Sequence, residues 1–320
     1  MKKVLITGST GFVGSHLIDY ILDNQPDVDL IVCAKRTKSN MDNVKHLTTK
    51  TKIKFVDVEL EDSKSVDALF TVFGEFDKCF HLAAQSFVKL SFDSPAETLT
   101  TNVIGTINLL EAIRKFNKEC VILISGSSDE YGIHNEIIDE NTYLRPLSPY
   151  AVSKVAQENL GHQYFKSYGL KTILTRTFNH DGPRRADVFV TSSFAKQIAE
   201  IEKGGKEAVI HHGNLDSYRD FTDVRDVVRA YWLASEKCEN GEPYNICSGE
   251  VTKIDDVLNK LLSFSTIKIE KKQDPNRMRP SDIMRLEGKN DKFKKATGWN
   301  IEISVDKMLE DLLNYWRERV

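Results

Sequence analysis

The sequence predicts an α/β protein built on a doubly wound parallel sheet, followed by a second, smaller α/β domain. Short β-branched segments alternate with amphipathic helical patterns through the first half of the chain, and such βαβ repeats form parallel sheets with helices on both faces. A glycine-rich turn joins the first predicted strand to the first predicted helix. A turn in that position is typical of dinucleotide-binding proteins, so the first domain is predicted to be of the Rossmann type.

The alternation is regular over the first half of the chain. The predicted strands are Lys3–Thr7, Leu30–Ala34, Lys52–Val56, Lys78–Leu82, Cys120–Ser125 and Lys171–Arg176. Apolar residues at helical spacing predict helices over Phe12–Leu22, Ser65–Phe73, Ala96–Phe116 and Tyr150–Tyr168. The order of these elements indicates right-handed βαβ crossovers.

After about residue 177 the pattern loosens, and we place the domain boundary there. Residues 1–177 are expected to form the Rossmann domain and residues 178–320 the second domain, with a segment near 223–247 returning to the first. The segment Phe178–Asp187 is polar and reads as a loop. The other predicted elements are helices over Thr191–Lys203, Asp223–Lys237, Ile254–Leu262 and Val305–Arg319 and a strand over Pro243–Ile246.

Composition excludes several classes of protein. With 44 basic and 47 acidic side chains the formal charge is −3, so no bulk attraction to nucleic acid or to an anionic membrane is expected. No apolar stretch approaches the length of a membrane span. The five cysteines are scattered and lack a C-x-x-C pair, which favours reduced thiols and a cytoplasmic protein.

The glycine turn is the first candidate site. It reads Thr7-Gly8-Ser9-Thr10-Gly11-Phe12-Val13-Gly14 and has the spacing G-x-x-G-x-x-G. Glycines there permit a tight turn and close approach of the backbone to a pyrophosphate, which then lies at a helix N-terminus. We therefore expect Gly8, Gly11, Phe12, Val13 and Gly14 to bind a dinucleotide.

The end of the second strand predicts which dinucleotide is bound. An acid at this point binds the adenosine ribose diol, whereas a cation accommodates a 2′-phosphate. The sequence has Lys35 and Arg36 there and no acid, which favours NADP(H). Solvated surface charges after a strand are the alternative interpretation.

Tyr150 and Lys154 form the candidate catalytic pair. Their Y-x-x-x-K spacing places both on one face of a helix, where the ammonium can stabilise a tyrosinate and let the phenol exchange a proton with a sugar hydroxyl or carbonyl. Ser127 ends the preceding strand and can hydrogen-bond the reacting oxygen. The pair alone is a weak signal, and its position downstream of the glycine turn strengthens it.

Taken together, these motifs resemble the extended short-chain dehydrogenase/reductases. The glycine turn, Asn102, Ser127, Tyr150 and Lys154 occur in the order and spacing of that family. The resemblance also implies that Asp57 and Val58 contact adenine and that the segment Leu82, Ala83 and Ala84 lines the cofactor cleft.

The second half of the chain resembles the GDP-mannose branch of the family. The segments that carry this resemblance are Arg176–Arg184, Gly213–Asp216, Arg219–Asp226, Tyr244–Gly249 and Arg279–Asp282. It implies a GDP-linked sugar as substrate, whose diphosphate arginine forks can bind. The candidate substrate-binding residues are Asn179, Arg184, Asn214, Arg219, Arg277 and Arg279. The histidines at positions 180, 211 and 212 lack partners at ligand spacing, so no metal site is expected.

Within this branch the resemblance implies NADPH-dependent reduction of the C4 ketone of a GDP-4-keto-6-deoxy sugar, forming a GDP-6-deoxyhexose such as GDP-rhamnose. The alternative is a 4,6-dehydratase, which needs an additional base where this chain has Asp129, one methylene shorter than the Glu of the family. The shortened side chain favours the reductase without deciding the question. A non-catalytic NADP(H)-binding regulator is the alternative of another class, and the intact Ser127, Tyr150 and Lys154 argue against it.

A homodimer is also expected. The predicted helices Ala96–Phe116 and Tyr150–Tyr168 are apolar on more than one stripe, which indicates packing outside their own sheet. The resemblance implies that they pair across a two-fold axis as a four-helix bundle. Burial of the same helices under the C-terminal segments is the alternative.

Overall fold

A seven-stranded parallel sheet forms the centre of the protein. The computed structural model describes residues 1–277 and 283–320. In chain order the strands of this sheet are β1 (Lys2–Thr7), β2 (Val28–Lys35), β3 (Ile53–Asp57), β4 (Lys78–His81), β5 (Val121–Ser127), β6 (Lys171–Thr177) and, from the second half of the chain, Pro243–Ile246. Their spatial order places β3, β2 and β1 on one side of β4 and then β5, β6 and Pro243–Ile246 on the other. All pairings are parallel, and the predicted fold class is confirmed.

The strands of this parallel sheet are buried on both faces, because the helices of the βαβ crossovers cover both. Along β1, Val4 and Ile6 belong to one apolar cluster and Leu5 to the other. This follows from the period of two residues in a strand. A strand that packs against helices on both sides reads as a continuous apolar run, the pattern seen in the sequence.

Helices cover both faces of the sheet. On one face lie α1 (Phe12–Asn24) and a later helix, Val224–Lys237. On the other face lie α2 (Ser63–Phe73) and two further helices, Gly105–Phe116 and Pro149–Tyr168. Two short helices, α3 (Val88–Asp93) and α4 (Pro95–Leu99), precede that pair, and we number the pair α5 and α6.

The helix predicted over Ala96–Phe116 is interrupted. After α4 a π-helical stretch, Thr100–Ile104, leads into α5. In this stretch the Asn102 side chain donates to Ser153 Oγ on α6 at 2.8 Å and accepts from the backbone N–H of Gln85 at 2.8 Å. Such local widening of a helix is frequent at functional sites, and here it ties α6 to the segment that follows β4.

The second half of the chain adds a separate helical layer. Helices α7 (Val190–Glu202), α9 (Ile254–Ser263) and α11 (Val305–Arg317) enclose a third apolar cluster. The helix Val224–Lys237 is α8, and α10 spans Asp291–Thr297. Within the described part of the chain, none of the helices is long and apolar enough to cross a membrane.

Several short strands of this half were missed by the sequence analysis. They are β7 (Asn179–Asp181), β8 (Val209–His212), β9 (Tyr218–Asp223), β11 (Val251–Lys253), β12 (Glu270–Gln273) and β13 (Arg285–Leu286), with Pro243–Ile246 as β10. β7, β11 and β13 all pair with β9, and β12 pairs with β8. They were missed because they are short and polar; β12, for example, is exposed along its whole length. The predicted loop over Phe178–Asp187 was therefore wrong at β7.

The segment around residues 223–247 joins the first sheet. β10 pairs in parallel with β6, matching Tyr244 to Thr175, and α8 packs beside α1 on the same face. The boundary at about residue 177 stays a prediction. The arrangement places the carboxyl ends of β1, β4, β5 and β6 next to the segments that follow residue 177.

Candidate active site

A cavity of about 650 Å³ opens at the carboxyl ends of β1, β4, β5 and β6. The strand order of this sheet reverses between β1 and β4, with β2 and β3 added on one side and β5 and β6 on the other, and ligands of open α/β sheets bind at such a point. Most of the predicted site residues line the cavity. They are Gly8, Gly11, Phe12, Val13, Gly14, Lys35, Arg36, Val58, Leu82, Ala83, Ala84, Ser127, Asp129, Tyr150, Lys154, Asn179 and Arg219.

The glycine turn is shaped by contacts that only glycine allows. Gly8 has a φ of +70°, and a Cβ on it would lie 2.8 Å from the backbone nitrogen of Ala83. A Cβ on Gly14 would lie 2.3 Å from the carbonyl oxygen of Gly8. The turn therefore keeps backbone close to the cavity and directs the first N–H groups of α1 toward it, a site suited to a pyrophosphate.

The two basic residues after β2 are paired with acids. Lys35 Nζ contacts Asp57 Oδ1, because the register of β2 and β3 places these two residues side by side. Arg36 Nη2 contacts Glu61 Oε1, and Glu61 itself lines the cavity. Glu61 was not among the predicted site residues, because it follows β3 and not β2.

Tyr150 and Lys154 lie one helical turn apart at the start of α6, with Lys154 Nζ 5.9 Å from the centre of the Tyr150 ring. Burial, reinforced by the charge of Asp129, raises the pKa of the Tyr150 phenol, and a hydrogen bond with Ser127 opposes the rise. Burial lowers the pKa of Lys154 to about 8, against the charge of Glu130. Lys154 Nζ donates to the Ser125 carbonyl at 2.7 Å. The site thus keeps a protonated phenol beside a lysine that titrates near neutral pH.

Two hydrogen bonds fix the conformation of the loop that follows β5. Ser127 caps a single helical turn: its Oγ accepts from the Asp129 backbone at 3.2 Å, and its own N–H donates to Glu130 Oε1 at 2.6 Å. Asp129 lines the cavity, whereas Glu130 is fully buried behind it. Burial, with the charge of Glu158, raises the pKa of Glu130 to about 8. Ser127, Ser128 and Asp129 are therefore the residues of this loop that line the cavity.

Two further cavity residues that were not predicted lie after β6, in the segment that follows residue 177. His180 stacks on Phe12 with ring centres 5.9 Å apart, and its Nδ1 lies 2.9 Å from the Phe178 carbonyl. Because a carbonyl only accepts, Nδ1 carries the proton and Nε2 is an acceptor. Burial, and then the charge of Arg185, lower the pKa of His180 to about 4, so the ring is neutral.

Arg185 is the second unpredicted residue. Its guanidinium carbon lies 3.5 Å from the Phe189 ring centre and 5.0 Å from that of Phe12. Arg185 Nε lies 3.8 Å from Asp181 Oδ1. Two adjacent arginines follow Pro183 in the sequence. Arg184 was predicted to bind the substrate, but it is Arg185 that lines the cavity.

The structure does not bring four predicted residues to the cavity. Arg184 Nη1 pairs with Asp19 at 2.6 Å, because its φ of +73° turns the chain there. Asp57 pairs with Lys35. Asn214 Oδ1 accepts from the Asp216 backbone, and Arg277 lines a separate cavity of about 310 Å³. Arg279 lies outside the described residues.

These features fit a nicotinamide dinucleotide. The glycines of the turn bring backbone close to the cavity, and Tyr150 and Lys154 line the same cavity. In the described ranges 1–277 and 283–320, no group of three or more His, Cys, Asp or Glu side chains is arranged to hold a metal ion. Fold and site together define a dehydrogenase/reductase of the extended short-chain class.

Comparison with known proteins narrows the class to one family. The sequence profile described as GDP-mannose 4,6 dehydratase matches residues 5–312, and the chain belongs to this family. It is 34% identical over 328 residues to the GDP-6-deoxy-D-mannose reductase of Pseudomonas aeruginosa, covering all of this chain and 98% of the relative. It is 29% identical over 349 residues to the GDP-mannose 4,6-dehydratase of Yersinia enterocolitica, covering 98% and 93%.

Solved structures agree with this placement. The structure of RMD from Pseudomonas aeruginosa complexed with NADPH superposes with a TM-score of 0.85 at 32% identity, covering 100% of both chains. A UDP-glucose 4-epimerase from Thermotoga maritima with UDP-glucose gives a TM-score of 0.85 at 27% identity, covering 99% of each chain. The shared architecture therefore extends over the whole chain and over more than one activity.

Proposed function

We propose that this protein reduces the C4 ketone of GDP-4-keto-6-deoxymannose with NADPH, forming a GDP-6-deoxyhexose such as GDP-rhamnose. The observation that carries the proposal is the cluster of Ser127, Tyr150 and Lys154 at one end of the dinucleotide cavity, with the short Asp129 beside it. The 34% identity to a GDP-6-deoxy-D-mannose reductase supports the same reaction.

Each residue of the cluster has its own role in the reduction of the ketone. When bound, the reduced nicotinamide supplies a hydride to C4. Tyr150 donates its phenolic proton to the carbonyl oxygen, so the ketone gains a hydride and a proton and becomes an alcohol. Ser127 hydrogen-bonds the same oxygen, and the Lys154 ammonium stabilises the tyrosinate that remains. The raised pKa of Tyr150 suits this direction, because the donor starts protonated.

The pH dependence follows from Lys154. We expect kcat/KM for NADPH to be flat below about pH 8 and to fall above it, because the Lys154 pKa of about 8 marks the loss of the ammonium. The fall in kcat/KM reflects an ionisation of the free enzyme, because the pH dependence of kcat/KM reports the pKa values of groups in the free enzyme. Initial rates from about pH 6 to about pH 10 test this expectation. A profile that rises above pH 8 would contradict the role of Lys154.

The 4,6-dehydratase is the second candidate, because Asp129 lies in the cavity and its charge acts on Tyr150. A dehydratase must also remove a proton from C5 and expel the C6 hydroxyl. A carboxylate one methylene short of its target loses about a hundredfold through misplacement. The shorter side chain therefore favours the reductase.

The two sugars, offered separately, test the proposal. With GDP-4-keto-6-deoxymannose we expect one NADPH oxidised for each sugar reduced, followed by absorbance of the cofactor and mass spectrometry of the product. With GDP-mannose we expect no turnover. Release of a 4-keto-6-deoxy product from GDP-mannose without net loss of NADPH would make the protein the dehydratase. A uridine-linked analogue is the control for the guanine and should react more slowly.

We also propose a cytoplasmic homodimer. Leu99, Ile104 and Val152 expose 37%, 43% and 44% of their surface, and all three lie on α4, α6 or the π-helical stretch between α4 and α5. A helix face with exposed large apolar side chains is suited to burial against a second copy. This supports the four-helix bundle expected from the sequence.

A further inference from the structure

The adenosine end of the cavity contains an acid in contact with its arginine. Arg36 Nη2 contacts Glu61 Oε1 and lies 3.0 Å from Thr101 Oγ1. Thr101 in turn donates to Glu61 Oε1 at 2.8 Å. Arg36 and Glu61 both line the cavity, with side chains 49% and 25% exposed. The arginine expected to bind a 2′-phosphate is therefore already held by a carboxylate.

The charges around this arginine are unfavourable for a dianion. Lys35 is paired with Asp57, and Glu59 Oε2 lies 3.9 Å from Arg36 Nε. Two cations are thus set against three carboxylates, those of Asp57, Glu59 and Glu61. A phosphate monoester with a charge of about −2 that binds here therefore competes with the Glu61 carboxylate for Arg36.

We propose that Glu61 sets the cofactor selectivity of this site by competing with the 2′-phosphate for Arg36. The 2′-phosphate of NADPH competes with the Glu61 carboxylate for the Arg36 guanidinium and is repelled by its charge, whereas the ribose 2′-hydroxyl of NADH can donate a hydrogen bond to it. Glu61 thereby takes the place of the acid that other dinucleotide sites carry at the end of the second strand. As a result, the native protein binds NADPH only modestly more tightly than NADH. This inference rests on the proposed binding of a nicotinamide dinucleotide.

Glu59 provides a matched control. Its carboxylate is also near Arg36, at 3.9 Å, but Glu59 does not line the cavity. Its Oε1 accepts from the Thr37 backbone at 3.4 Å instead. Glu59→Gln and Glu61→Gln each remove one negative charge from the same segment. A difference in cofactor selectivity between the two variants therefore reflects contact with the ligand and not the change in net charge.

The test is equilibrium binding of NADPH, NADH, 2′-phospho-ADP-ribose and ADP-ribose by isothermal titration calorimetry. For Glu61→Gln we expect the ratio of the NADH to the NADPH dissociation constant to rise about tenfold, the size of one charge-assisted contact. The two fragments should show the same change. Glu59→Gln should change the ratio by less than about threefold. An unchanged ratio in Glu61→Gln, or equal changes in both variants, would overturn the inference.

Arg36→Met completes the design as a double-mutant cycle. If Glu61 acts largely through Arg36, then Glu61→Gln should change the ratio of dissociation constants much less in the Arg36→Met background than in the native protein, leaving only the contribution of its direct contact with the 2′-hydroxyl. A tenfold change that persists there would overturn the mechanism. Failure of the native protein to bind either dinucleotide would instead refute the proposed function, so the two failures are distinguishable. Circular dichroism of each variant verifies the fold.

Discussion

Replacing Tyr150 with phenylalanine is expected to lower kcat for reduction of GDP-4-keto-6-deoxymannose by at least about a hundredfold, the range of a lost general acid. The change removes only the phenolic hydroxyl of a side chain that lines the cavity together with Ser127. The ring and its place on α6 remain, so the dissociation constant of NADPH should stay within about twofold. Stopped-flow oxidation of NADPH and calorimetry of the cofactor measure the two quantities.

Tyr143→Phe is the control for this variant. Tyr143 is 57% exposed and lies outside the cavity lining, so the same loss of a hydroxyl should leave kcat unchanged. Near-normal turnover of Tyr150→Phe would show that another group supplies the proton. A parallel loss of NADPH binding would show that the variant disturbs the cofactor site and not the proton transfer.

The candidate catalytic residues could be located from the sequence because the patterns that mark them are local. Tyr150 and Lys154 are separated by one helical turn, and Ser127 ends a strand that the β-branched run at Val121 already indicates. Strands buried on both faces and helices with one apolar stripe have periods that a sequence displays directly. The central sheet was predictable for the same reason.

Residues that reach the site through tertiary structure were harder to predict. Arg185 lines the cavity and Arg184 does not, a choice made by the positive φ of Arg184 that adjacent arginines do not reveal. His180 belongs to a polar strand of three residues, too short for a periodic pattern.

Glu61 was predictable in principle. Parallel pairing of β2 with β3 places Lys35 beside Asp57, so the residues after Asp57 must approach the cations after Lys35. Because neighbouring parallel strands end at the same edge of the sheet, an acid that follows the third strand can lie beside a cation that follows the second.

A large loss of stability is expected on replacing Arg176 with methionine. Arg176 Nε and Nη2 bind both oxygens of Glu158 at 2.7 and 2.6 Å, with side chains only 6% and 10% exposed. Its Nη1 also donates to the Tyr131 hydroxyl at 2.9 Å. Removing one partner leaves a buried charge unpaired, which costs about 3–5 kcal/mol. Urea unfolding followed by circular dichroism measures the free energy of unfolding.

The double variant Arg176→Met with Glu158→Leu tests whether the loss of stability comes from the unpaired Glu158 carboxylate. Because replacing a buried ion pair by apolar side chains is often neutral or stabilising, we expect the second change to recover most of the stability lost in the first. Surface pairs make a suitable comparison: Lys171 and Glu119, 41% and 83% exposed, should contribute less than about 1 kcal/mol. If Arg176→Met unfolds like Lys171→Met, the buried pair does not stabilise the packing of α6 on β6.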